Sequence, residues 1–96
     1  MTLESQLKEK TEKYRKLTEQ ALKEIEFSEG LNAEKKKIAD DYMKMAENYF
    51  SDAKHFMEKG DLLTALAAFS YAHAWLDAGV RAKLFKTENG ELFTLP

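Results

Sequence analysis

Ninety-six residues, 44% hydrophobic and 33% charged, are too apolar for a disordered chain and too charged for a membrane protein, and they fit one helical-bundle domain over 1–96. The formal charge of -2 comes from 15 basic and 17 acidic side chains whose signs alternate along the chain, so no segment forms the basic arm that would make nucleic acid the default partner. The absence of cysteine excludes disulfides and thiolate metal sites, and the start from Met1 to Ser5 has no apolar run of the signal-peptide kind, so the expected location is cytoplasmic, with no membrane involvement.

Gly30, Gly60 and Gly79, with the Asn89-Gly90 pair, punctuate the chain and leave long segments between them. Residues 3–29 carry Leu3, Leu7, Tyr14, Leu17, Ala21 and Ile25 at helical spacing. The pairs Glu4 with Lys8, Glu9 with Lys13, Glu12 with Lys16 and Glu19 with Lys23 stand one turn apart with the acid first, each adding about 0.2–0.5 kcal/mol. The pattern predicts an amphipathic helix closed by Gly30, with Leu31 folding back onto Ile25.

Asn32 is the expected N-cap of a second helix over 33–59. In it Ala39, Tyr42, Ala46, Tyr49, Ala53 and Phe56 alternate small and aromatic residues, and Met43, Phe50 and Met57 widen the apolar face. So wide a face predicts two neighbours. Gly60 ends this helix and Asp61 caps a third over 62–84, joined by a turn short enough to force an antiparallel hairpin.

Helix three presents Leu62, Leu66, Phe69, His73, Leu76 and Val80 on one face, which predicts the core side, and Phe56 and Phe69 are the expected core aromatics. Its opposite face, Leu63, Ala67, Tyr71, Ala74, Trp75 and Ala78, is also uncharged. No charge occurs from Leu62 to Leu76, yet that run is short of the roughly 20 apolar residues needed to span a bilayer. In the tail, 85–96, Asn89-Gly90 is a hairpin signal that would set Phe85 opposite Phe93.

The stretch from Tyr49-Phe50 through Asp52-Ala53, Phe56, Gly60-Asp61, Ala65-Leu66, Tyr71-Ala72 and Trp75 to Gly79 resembles the archaeal domain-of-unknown-function family numbered 357. The likeness covers helices two and three, roughly half the chain. It implies a left-handed, up-and-down three-helix bundle and supplies no activity. The same stretch is similar to a tetratricopeptide helix pair, present in a single copy where a solenoid needs several.

Three features compete for function. Asp52 with His55, and His73 with Asp77, are spaced to share a helical face as metal-binding bundles require, but no further inward carboxylates complete a ligand set; a His73 hydrogen-bonded to Asp77 or to backbone is the plainer reading. Lys35, Lys36 and Lys37 oppose the dipole at a helix start; a solvated turn in which Lys36 and Lys37 pair with Asp40 and Asp41 one turn on is the plainer reading, and contact with phosphate or RNA is the alternative. Catalytic motifs are missing, there being no phosphate loop and no nucleophile elbow.

The remaining feature is the second uncharged face, since one arc of each helix in a three-helix bundle meets solvent and Tyr71 with Trp75 suits that role poorly. Either the tail covers it through Leu92, Phe93 and Leu95, or a protein does. The expectation is a non-catalytic, cofactor-free module that binds a protein partner or a second copy of itself, with nucleic-acid association through Lys35–Lys37 or metal binding as alternatives.

Overall fold

The computed structural model describes residues 2–88. Three helices, α1 (Leu3–Glu24), α2 (Ala33–Glu58) and α3 (Leu62–Arg81), account for most of them, and a ladder of two short strands, β1 (Glu26–Phe27) and β2 (Phe85–Lys86), closes one end. The fold is an all-α bundle, 49 × 23 × 18 Å, with α3 at its centre. Both other helices pack on α3, whereas α1 and α2 scarcely meet.

The caps explain the boundaries. Thr2 Oγ1 accepts from the Ser5 amide at 3.1 Å, Asn32 Oδ1 from Lys35 at 2.8 Å and Asp61 Oδ1 from Thr64 at 3.2 Å. At the end of α2, Gly60 takes φ +82, its amide donates to Met57 and that of Asp61 donates to Phe56, which satisfies carbonyls the helix would leave bare.

The first helix stops five residues short of the expected 29. Ile25 is already extended at φ -75 and ψ 140, and Glu26 and Phe27 pair antiparallel with Lys86 and Phe85. The reason is packing: Ile25 is buried, and the Phe27 and Phe85 rings stand 5.5 Å apart. Gly30 is left-handed as expected, but in the turn after β1 and not at the helix end, and Leu31 joins the cluster that contains Ile25.

The third helix also ends early, at Arg81 and not at 84. There Lys83 takes φ 62, its amide donates to Val80 and that of Leu84 to Gly79, repeating the Gly60 arrangement without a glycine. Gly79 is no punctuation mark. It lies inside α3, buried beneath the Phe85 ring. The proposed partner of Phe85, Phe93, lies outside the described residues, as do Asn89-Gly90, Leu92 and Leu95; within them Phe85 faces Phe27.

Two apolar clusters fill the interior. One gathers Ala21, Ile25, Ala39, Ala46, Leu76, Leu84 and Phe85, and the other Phe50, Ala53, Ala65, Ala68, Phe69 and Ala72. The alanines of α2 at seven-residue spacing are wholly buried, so the backbones of α2 and α3 approach closely and Phe50 lies 5.5 Å from Phe69. Phe56, expected in the core, is half-buried at the margin of the second cluster; Phe50 takes the inner place because it sits nearer the alanine row.

Candidate interaction surface on the third helix

Helix α3 has three sides, where its sequence suggested two. Ala65, Ala68, Ala72 and Gly79, with Phe69 and Leu76, are buried, the alanines and Phe69 packing with Phe50 and Ala53 of α2. The expected core positions Leu62, Leu66, His73 and Val80 are only half-buried, because their face turns toward α1. Along that seam Thr11 and Thr18 are fully buried; the Thr11 hydroxyl donates to Leu7 O at 2.7 Å and lies 3.4 Å from Leu62 O, and Thr18 Oγ1 is 3.4 Å from His73 Nδ1. His73 therefore meets α1 through Thr18, and Asp77 Oδ1, one turn on, is buried without a hydrogen-bond partner among the described residues.

The third side faces solvent. The six expected surface residues divide there: Trp75 is half-buried, its ring edge-on to Tyr42 of α2 at 5.0 Å, while Leu63, Ala67, Tyr71, Ala74 and Ala78 are exposed. Leu63 is 69% and Tyr71 59% exposed, the latter with one flank against Tyr49 at 5.4 Å. Trp75 thus belongs to the α2 seam. The exposed stripe runs from Leu63 through Ala67, Ser70, Tyr71, Ala74 and Ala78 to Arg81.

Its chemistry differs from the rest of the molecule. Of the eight exposed residues in α3 one, Arg81, is charged, against eight of twelve in α1 and eleven of sixteen in α2. Solvent-facing helical positions otherwise follow the ordinary rule of charged exteriors, and α3 departs from it along its whole length.

Lys35, Lys36 and Lys37 are exposed in the first turn of α2, and among the described residues none of them forms an ion pair. The pairing with Asp40 and Asp41 is absent. On α1 only Glu19 with Lys23, at 3.8 Å, forms among the four expected pairs; Glu12 and Glu19 are instead bridged by Arg15, at 3.0 and 2.9 Å. The Arg15 hydrogen bond holds the Glu12 carboxyl below its ordinary range.

Asp52 and His55 are exposed, and among the described residues no cluster of three or more His, Cys, Asp or Glu could hold a metal. Surface hollows lie elsewhere, one lined by Lys23, Glu24, Glu26 and Lys86 and another by Leu7, Glu9, Lys10 and Lys13. Their mixed charges converge on no reactive group. No helix of the described residues is long and apolar enough to cross a membrane.

Comparison with known proteins agrees with the resemblance in the sequence. The model of a family described as protein of unknown function, DUF357, matches residues 13–85. The crystal structure of protein AF1782 from Archaeoglobus fulgidus, a DUF357 protein, is 34% identical, with a TM-score of 0.71 over 90% of this chain and 99% of that one. No curated protein matches.

Proposed function

Because the chain belongs to the DUF357 family, whose description assigns no activity, its role has to be read from its own surface, and we propose that it is a non-catalytic protein-interaction module that docks through the exposed side of α3. One observation carries the reading: a single charge among eight exposed α3 residues, where the other helices are charged at two thirds or more of theirs. A helix that only needed solubility would place Lys and Glu there at no cost in packing. Leu63 and Tyr71 supply protruding apolar and aromatic anchors, and Ala67, Ala74 and Ala78 let another backbone come close.

The test is site-specific photo-crosslinking in the native cells, with the reactive side chain placed at Leu63 or Tyr71 and, as controls, at Lys16 of α1 and Glu47 of α2. Crosslinked protein adducts should arise from the α3 positions and not from the controls. Adducts from the controls alone overturn the reading.

A second reading, nucleic-acid association through Lys35, Lys36 and Lys37, is favoured by their forming no ion pair among the described residues. It has less support, because Glu34, Asp40 and Asp41 share that end of the helix and the chain carries a charge of -2. Binding of this kind would fall steeply with salt and vanish when the three lysines become glutamate.

A further inference from the structure

We draw no further inference here: the strongest candidate, the uncharged surface patch on the exposed side of α3 from Leu63 to Ala78, belongs to the surface already described, and nothing in the structure shows what covers it, since the exposed charges of the adjoining α2 are of both signs and select no partner.

Discussion

Gly79 and Phe85 compete for one space: a methyl group built on Gly79 would fall onto the Phe85 ring. An exposed helical glycine is usually worth replacing, since Ala is about 1 kcal/mol more favourable in a helix interior. Here the sign reverses. Gly79→Ala would displace Phe85 from a site where it is buried and faces Phe27 across the strand ladder. The expected loss is about 1–3 kcal/mol, the usual range for overpacking, read from urea unfolding. A gain in stability would show that Phe85 does not occupy this place.

Lys83 gives the opposite case. It closes α3 in the left-handed conformation at φ 62, which costs a non-glycine residue about 1–2 kcal/mol, partly offset by the greater chain entropy of glycine. Lys83→Gly should therefore stabilise the fold by up to about 1 kcal/mol in thermal or denaturant melts. Lys83→Ala, which keeps the strain, serves as the control and should gain far less.

The two aromatics expected in the core separate. Phe69 is 0% exposed and tilted against Phe50, so Phe69→Ala should cost about 3–5 kcal/mol, enough to threaten a domain of this size. Phe56 sits at the margin of its cluster, and Phe56→Ala should cost clearly less. Equal losses in denaturant unfolding would contradict the packing described here.

What was legible in the sequence, and what was not, follows from how each feature is encoded. Asn32, Gly60 and Asp61 announce caps through local chemistry, and the alanine and aromatic alternation of α2 gives its buried face directly. Thr11 and Thr18 were missed because a count of apolar residues passes over threonine, although both sit in register with Ile25 at seven-residue spacing and are fully buried. Ile25 to Phe27 read as helix because the competing partner, Phe85-Lys86, lies some sixty residues away. On α3, periodicity found the uncharged surface but not its division, since only the position of α2 decides that Trp75 is shielded while Ala74 and Ala78 are exposed.

The Arg15 bridge makes an acid-side prediction. The hydrogen bond from Arg15 depresses the folded-state pKa of Glu12, and the one from Lys86 does the same for Glu29. A depressed carboxylate contributes stability that is present above its unfolded pKa and is lost as pH falls through the lower folded value. Melting temperature should thus decline below about pH 4, the ordinary carboxylate range. Glu12→Gln should flatten that decline slightly, by a few tenths of a kcal/mol, as suits a pair open to solvent.

Trp75 is the sole tryptophan, and its half-burial against Tyr42 makes it a reporter of the α2–α3 seam. Tyr42→Ala should red-shift its emission in the still-folded protein and lower stability by about 0.5–1.5 kcal/mol for the aromatic pair, beyond the area lost. A shift of equal size on removing residues 89–96, with Tyr42 in place, would assign the shielding to that segment instead. The cut has to fall after Glu88. Truncation after Leu84 would also delete Phe85, which is buried over Gly79, so any change in Trp75 would then mix lost shielding with a damaged core. Ala74→Glu, next in sequence to Trp75 and exposed, separates the last ambiguity: it should leave the emission of the monomer where it is, because Tyr42 and not the exposed side of α3 sets the surroundings of that ring.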